Sequence, residues 1–138
     1  PYSMTGYPLY KTPDESKFIQ YMRQMLILEM GPDILIGAGV PLAWTEDGKS
    51  VELRNAGTYF GPMNVKIGSA AAQGSISADI DLPTRNRPRQ ARVFLRHPEG
   101  RPIKSVTVNG RSWDEFDAGR GCVTIPGDLG KADIVARF

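Results

Sequence analysis

The chain has 138 residues, enough for one domain, and its 17 lysines and arginines against 15 aspartates and glutamates give too little net charge to indicate a polyanionic partner. Its single cysteine, Cys122, excludes an intrachain disulfide framework and a cysteine-based metal cluster but leaves the compartment open. No apolar run approaches the ~20 residues of a membrane span, so no membrane partner is expected, and the fifteen glycines and eleven prolines interrupt short apolar runs as in all-β domains.

The segment that opens the chain, PYSMTGYPLY, is more apolar than a terminus usually is. Two interpretations stay open: a connector that rests on a neighbouring domain, or an artificial start of the chain. We expect the sequence to be a piece of a longer protein.

A helix is predicted next, because Thr12 offers a cap hydroxyl before Pro13 at the first helical position, with Glu15 as the reciprocal capping residue. We expect the helix to extend to about Arg23. Spacings of three and four residues predict one apolar face, which we interpret as a surface for a neighbouring domain or for self-association; it comprises Phe18, Tyr21, Met22 and Met25.

The run at residues 25–30 fits either a further helical turn or a buried strand, and the turn at residues 31–33 ends either one. We favour a strand, because the apolar residues 34–36 follow at once and a hairpin would pair the two runs. The predicted division is therefore an N-terminal connector and helix, 1–23, and a β-sandwich domain, 24–138.

From residue 51 onward the apolar period is two, which is typical of strands with one buried and one wet face. Asn109-Gly110 is the strongest hairpin signal, because a type I′ turn needs positive φ at both central residues. Short turns predict antiparallel pairing, and the number of strands predicts two packed sheets. The expected fold is all-β, an antiparallel two-sheet β-sandwich of about nine strands preceded by one short N-terminal helix.

The acidic residues and the single histidine form no catalytic constellation. His97 ends a strand with no nucleophile motif beside it. Asp79 and Asp81 share one face of a strand, but that face is predicted to be wet, whereas glycosidases place two carboxyl groups across a sugar cleft. We therefore predict no catalytic residue, metal or other cofactor in this chain. The loop after Trp113 also lacks the spacing of a calcium loop; its acidic residues are Asp114, Glu115 and Asp117.

Four arginines lie within residues 85–92. Basic clusters can follow phosphates, but no aromatic residue is interleaved here to stack on bases, so we expect no nucleic-acid partner. An anionic polysaccharide, gripped through bidentate contacts, is an alternative. We favour a solvated connector between two strands, stiffened by Pro83 and Pro88.

Aromatic rings are the residues to consider for sugar binding, because a pyranose ring stacks its C–H face on an exposed ring. The candidates for carbohydrate contact are Trp44, Tyr59 and Trp113, although we favour a packing role for each of them. Tyr59 adjoins Phe60, and we expect one of these two rings in the core and the other outside. A row of exposed rings on one sheet face would favour glycan binding, whereas rings buried under the helix would favour a scaffold.

Three parts of the chain resemble one family: residues 39–49 (GVPLAWTEDGK), residues 55–62 (NAGTYFGP), and residues 95–110 together with Trp113. They are similar to the C-terminal region of large bacterial proteins related to glycoside hydrolases, in which an (α/α)6 toroid is followed by a β-sandwich. The resemblance covers the chain from about Phe18 to Phe138. In such enzymes the acidic catalytic residues lie on the toroid, so none is carried over to this sequence.

The resemblance implies a non-catalytic C-terminal accessory domain of a bacterial glycoside hydrolase, which packs on the catalytic toroid and stabilises it. The alternative is a carbohydrate-binding module that presents polysaccharide to the active site of the same protein. Without the catalytic toroid, the apolar face of the helix would be exposed to water, which is uncommon on monomers. We favour a symmetric homodimer over a helix that folds onto its own sandwich.

Overall fold

The computed structural model describes residues 12–138, with side chains from Glu15 onward. The N-terminal apolar segment and the side chains of Thr12 and Pro13 lie outside the described residues. Within the described part, no helix has the length and apolar character needed to cross a membrane. The elements are α1 (Thr12–Leu26), β1 (Ile27–Met30), β2 (Asp33–Ile36), β3 (Ser50–Thr58), β4 (Gly61–Ala70), β5 (Ser75–Asp81), β6 (Gln90–Phe94), β7 (Ser105–Val108), β8 (Arg111–Trp113), β9 (Phe116–Asp117), β10 (Cys122–Pro126) and β11 (Lys131–Arg137), with short 3-10 turns at Leu42–Thr45 and Ala71–Gln73.

The strands form two sheets around one core. The five-stranded sheet has the order β1-β2-β6-β10-β9, and the six-stranded sheet has the order β3-β4-β5-β11-β7-β8. Along β5 the buried Ile76, Ala78 and Ile80 alternate with Ser77 and Asp79, which are exposed. The predicted all-β two-sheet sandwich with a short N-terminal helix is thus confirmed.

The Asn109-Gly110 hairpin forms as predicted. Val108 pairs with Arg111, and φ is 50° at Asn109 and 75° at Gly110. Strand β8, which follows this turn, and β9 bring the described strands to eleven, two more than the nine predicted. Because β8 has three residues and β9 has two, neither is long enough to show an alternating pattern in the sequence.

Helix α1 continues to Leu26, past its predicted end at about Arg23. The reason is tertiary, because the loop after β2 returns to the last helical turn. There, Gly37 N–H donates to Leu26 O (2.7 Å) and Gly39 N–H donates to Met25 O (3.0 Å). These donors satisfy carbonyl groups that the end of a helix leaves unpaired, so the last turn stays helical.

Strands β1 and β2 form the predicted antiparallel hairpin, but β2 then pairs in parallel with β6, which corrects the all-antiparallel prediction. A buried carboxylate joins β2 to β6. Asp33 accepts hydrogen bonds from Arg89 Nε (2.9 Å) and Nη2 (2.8 Å), from Gln90 Nε2 (2.9 Å) and from Arg92 Nη2 (3.3 Å). The solvated connector predicted for the whole arginine cluster therefore describes only its first part, residues 85–87.

A β-bulge in the edge strand β3 shapes its hairpin with β4. The register shifts between Leu53 and Ala56. Within the bulge, Asn55 has a φ of 50°, and its N–H donates to Asn64 Oδ1 (2.7 Å). A bulge bends its strand and increases the local twist. It precedes the two-residue turn that joins β3 to β4 and carries Tyr59.

Candidate functional site

The apolar face predicted on α1 divides along the length of the helix. Met22 and Met25 are half-buried, whereas Phe18 is 64% and Tyr21 is 61% exposed. Ile19, which the predicted face does not include, is 69% exposed and lies on the same side of the helix as Met22. We call Phe18, Ile19 and Tyr21 the exposed helix face. It occupies the part of α1 that precedes the half-buried methionines.

The C-terminal end of α1 is anchored to the sandwich by a close contact at Gly39. A Cβ atom placed at Gly39 would lie 2.8 Å from the Cα and 3.1 Å from the Cβ of Met25. Because two backbones meet at this point, only glycine allows the approach. The exposed helix face is therefore carried by a helix whose last turn is held in place.

An ion pair also joins the helix to the β3–β4 hairpin. Arg23 Nη2 donates to Glu29 Oε1 (2.9 Å) and also to Gly57 O of β3. Burial acts to raise the pKa of Glu29, but the hydrogen bond and the charge of Arg23 outweigh it, so the pKa of this carboxyl lies below its ordinary value. Glu29 Oε1 also accepts a hydrogen bond from Tyr59 N–H (3.3 Å). One pair of side chains thus positions both the helix and the hairpin turn.

Tyr59 projects into solvent from a turn whose backbone is held on both sides. It is 85% exposed, whereas Phe60 beside it is 8% exposed, so the prediction of one ring in the core and one outside is confirmed. Asn86 Nδ2 donates to Tyr59 O (3.0 Å) from the connector after β5. Within the turn, Thr58 Oγ1 donates to Gly61 O (2.6 Å). The exposed ring therefore stands on an ordered turn.

A surface cleft of about 520 Å3 opens beside this ring, between the β3–β4 turn and the connector after β5. We call it the Tyr59 cleft. Within the described part of the chain, arginine supplies its only charged side chain and no carboxylate lines it. Its lining includes Tyr59, Pro62, Pro83, Thr84, Arg85 and Asn86.

The two tryptophans predicted as carbohydrate contacts are less exposed and lie elsewhere. Trp113 is half-buried against the core and donates its Nε1–H to Thr124 O of the other sheet (2.9 Å). Trp44 is half-buried in the 3-10 turn after β2. Because β3 and β8 are opposite edges of the six-stranded sheet, Tyr59 and Trp113 lie at opposite sides of the molecule. The three candidate rings therefore form no common row.

Asp79 and Asp81 lie on the outer face of the six-stranded sheet, as predicted. Asp79 is exposed, and Asp81 is half-buried. Asn64 Nδ2 donates to Asp81 Oδ2 (3.1 Å), and Lys131 Nζ lies 3.3 Å from Asp81 Oδ1. These partners, Asn64 first, hold the pKa of Asp81 below its ordinary value. The general acid of a glycosidase needs a raised pKa, so that it holds its proton near neutral pH.

His97 has a structural environment. It is 2% exposed, and its ring packs against Phe138 with the ring centroids 5.2 Å apart. Glu99 N–H donates to Nδ1 (3.2 Å), and Nε2 lies 3.3 Å from Ala71 O. Because Nδ1 accepts this hydrogen bond, the geometry assigns the donor role toward Ala71 O to Nε2. Both nitrogens therefore have backbone partners within the described part of the chain.

The acidic loop after Trp113 is held by its own contacts. Asp117 Oδ1 accepts a hydrogen bond from Arg120 N–H (2.9 Å). Across the residues that the structure describes, no three His, Cys, Asp or Glu side chains are grouped to hold a metal ion. Cys122 is a buried free cysteine, and burial raises the pKa of its thiol.

Arg96 is a structural residue that the sequence analysis did not identify. Its Nη2 donates to Ala38 O (3.1 Å) and Val40 O (2.6 Å). The Arg96 carbonyl accepts a hydrogen bond from Thr45 Oγ1 (3.0 Å), a side chain that is itself buried. These bonds hold the 37–45 loop, which contacts the end of α1 and carries Trp44. Within the described part of the chain, Arg96 binds backbone carbonyl groups and not a carboxylate side chain. No acidic residue in the sequence therefore indicates its structural role.

These observations define an all-β sandwich with an anchored N-terminal helix, and its two candidate interaction sites are the exposed helix face and the Tyr59 cleft. No protein-family model matches the chain, and no curated protein matches it. The family resemblance therefore rests on the sequence segments alone.

Proposed function

We propose that this protein is a non-catalytic accessory domain of a bacterial glycoside hydrolase, which packs on the catalytic toroid and stabilises it. The observation that carries the proposal is the exposed helix face. Phe18, Ile19 and Tyr21 are 64%, 69% and 61% exposed, although each is large and mostly apolar. They lie in one stretch of one helix, with Ile19 and Tyr21 on either side of Phe18, so a partner surface centred on Phe18 would contact all three.

The sandwich itself supplies a complete core without this face. Ile34 and Val123 of one sheet and Ile80 of the other are 0% exposed and belong to one continuous buried cluster. Large contiguous apolar patches on soluble monomers usually mark interaction sites. The exposed helix face is therefore better explained by a partner than by the needs of the domain's own fold.

The resemblance supplies the identity of that partner. In the proteins that the chain resembles, the toroid precedes the sandwich, and we infer that α1, the first element of this domain, packs on the toroid. An apolar helix face packs readily into the grooves between the side chains of another helix. Apolar area buried in such a contact would stabilise both domains, by about 25 cal/mol for each Å2.

A direct test begins with the full reading frame of the gene, which should encode a helical toroid upstream of this domain. The toroid and the 138-residue domain are then produced separately, and their association is measured by calorimetry. Phe18→Ser combined with Tyr21→Ser should weaken the association at least ~10-fold, because both side chains would be buried at the centre of the contact.

The matched control is Gln20→Ser. This exposed residue lies on the side of the helix opposite Phe18, so the affinity should stay within about twofold of the wild-type value. Thermal unfolding of each variant checks that the sandwich is intact. A reading frame without a toroid, or equal affinities for the two variants, would contradict the proposal.

A carbohydrate-binding module is the second candidate function, and the exposed ring of Tyr59 beside its cleft favours it. Trp44 and Trp113 do not join this ring, so a glycan would be held at one aromatic side chain. The two functions are compatible, because the exposed helix face and the Tyr59 cleft use different residues.

A further inference from the structure

The Tyr59 cleft has the composition of a ligand site that the accessory function does not use. The ring of Tyr59, 85% exposed, is a flat apolar surface on which the C–H face of a pyranose can stack. Pro62 and Pro83 extend the apolar lining, and Arg85 and Asn86 add polar groups. Apolar walls with a few polar groups are typical of small-molecule sites.

The charge of the cleft favours an anionic ligand. Arg85 lines the cleft, is exposed, and has no ion-pair partner among the described residues. The carboxylate nearest to the turn backbone, Glu29, is already paired with Arg23 at 2.9 Å. A free guanidinium binds a carboxylate through two parallel hydrogen bonds. An acidic group that enters the cleft would therefore meet a guanidinium to which the described part of the chain offers no carboxylate.

The two walls of the cleft are linked before any ligand binds. Asn86 Nδ2 donates to Tyr59 O (3.0 Å), which connects the loop of Arg85 to the turn of Tyr59. On its other side, the turn is held by the contact between Glu29 and Tyr59 N–H. Binding to groups that are already ordered loses less conformational entropy than binding that must order them.

We propose that the Tyr59 cleft binds an acidic saccharide, with a sugar ring stacked on Tyr59 and its carboxylate paired with Arg85. One ring and one guanidinium make a small site, so the expected dissociation constant is on the order of 1–10 mM. This inference goes beyond the accessory function and does not depend on it, because no residue of the exposed helix face lines the cleft.

The probe is tri-galacturonate, with its methyl ester as the neutral counterpart. Each compound is titrated into the 15N-labelled protein, and the amide chemical shifts are followed by NMR. With the acid, we expect shifts concentrated at residues 58–61 and 84–86. The ester keeps the sugar rings and removes the charge, so its affinity should be at least ~5-fold lower.

Variants then test each proposed contact. Tyr59→Ala should weaken the binding of tri-galacturonate about fivefold or more, while Tyr59→Phe retains the ring and should bind within about twofold of the wild type. Arg85→Gln should weaken binding about tenfold. The matched control is Arg111→Gln, which removes the same charge from an exposed position in β8, at the opposite edge of the sheet, and should have no more than a twofold effect.

Three results would overturn the proposal: no shifts up to about 20 mM saccharide, equal affinity for acid and ester, or equal losses in Arg85→Gln and Arg111→Gln. Tighter binding of a tetraglutamate peptide than of tri-galacturonate would also overturn it, because the cleft would then be a peptide site. The double variant Phe18→Ser/Tyr21→Ser should bind tri-galacturonate like the wild type. Its behaviour separates a failure of this inference from a failure of the accessory function.

Discussion

Asp33 holds two strands together with a single carboxylate. It is 5% exposed, and its oxygens accept hydrogen bonds from Arg89, Gln90 and Arg92. A buried carboxylate is tolerated only when its charge is paired and its lone pairs are satisfied. Because the donors come from β6 and the residue before it, these bonds favour the parallel arrangement of β2 and β6.

Asp33→Ala should therefore destabilise the protein. We expect the free energy of unfolding to fall by about 1–3 kcal/mol, because the hydrogen bonds to a buried, charged acceptor are lost. The control is Asp79→Ala, which removes an exposed carboxylate that lies directly opposite Asp133 and should change stability by less than about 0.5 kcal/mol. Urea unfolding measures both variants. Similar losses in the two would mean that the contacts of Asp33 add nothing to stability.

The same carboxylate predicts a dependence of stability on pH. The hydrogen bond from Arg89, which outweighs the effect of burial, holds the pKa of Asp33 below its ordinary value. A group whose pKa is lowered on folding stabilises the protein above its unfolded pKa, about 4, and this stabilisation is lost as the pH falls through the folded pKa. Below about pH 4, wild-type stability should therefore fall more steeply than that of Asp33→Asn. Urea unfolding at a series of pH values tests this, and parallel curves would contradict it.

At the scale of elements, the contact between α1 and the 37–45 loop determines where the helix ends. The loop donates two backbone hydrogen bonds to the last helical turn and approaches Met25 at Gly39. The Arg96 side chain holds the same loop by donating hydrogen bonds to two of the loop's carbonyl groups. The orientation of α1, and hence of the exposed helix face, therefore depends on a loop that follows the helix in the chain.

Gly39→Ala should disturb this attachment. The new methyl group would lie 2.8 Å from a backbone atom of Met25, which cannot move without the helix, so we expect a loss of about 1–3 kcal/mol. Gly57→Ala is the control, because its Cβ meets nothing within 4 Å, and it should stay within about 0.5 kcal/mol of the wild type. Hydrogen exchange of the α1 amides should accelerate in Gly39→Ala only. Equal exchange in both variants would contradict the conclusion that the contact at Gly39 holds the C-terminal end of α1.

For the whole molecule, the exposed helix face predicts self-association when the domain is alone. A two-fold contact lets one apolar face cover its own copy, so we expect a symmetric dimer. Sedimentation at about 100 μM protein should show the dimer for the wild type and a monomer for Phe18→Ser/Tyr21→Ser. Gln20→Ser, on the side of the helix opposite Phe18, should remain a dimer. A monomeric wild type would show that this face is stable in water without a partner.

Local patterns determined the fold class and the individual turns. The alternation along Ile76, Ala78 and Ile80 predicts a strand with one buried face, because burial in a sheet follows a period of two whatever the sheet order. The Asn109-Gly110 turn is predictable for a similar reason, since its positive φ values are a property of those two residues.

Contacts between distant parts of the chain decided the rest. The parallel pairing of β2 with β6, the end of α1 at Leu26 and the role of Arg96 all depend on partners that only the folded chain brings together. The candidate site follows the same division. The sequence by itself identified Trp44, Tyr59 and Trp113 as equivalent rings. The tertiary structure decided that Tyr59 stands in solvent beside an arginine that has no ion-pair partner among the described residues. A residue type determines what a ring can bind, whereas packing determines whether that ring is left free to bind it.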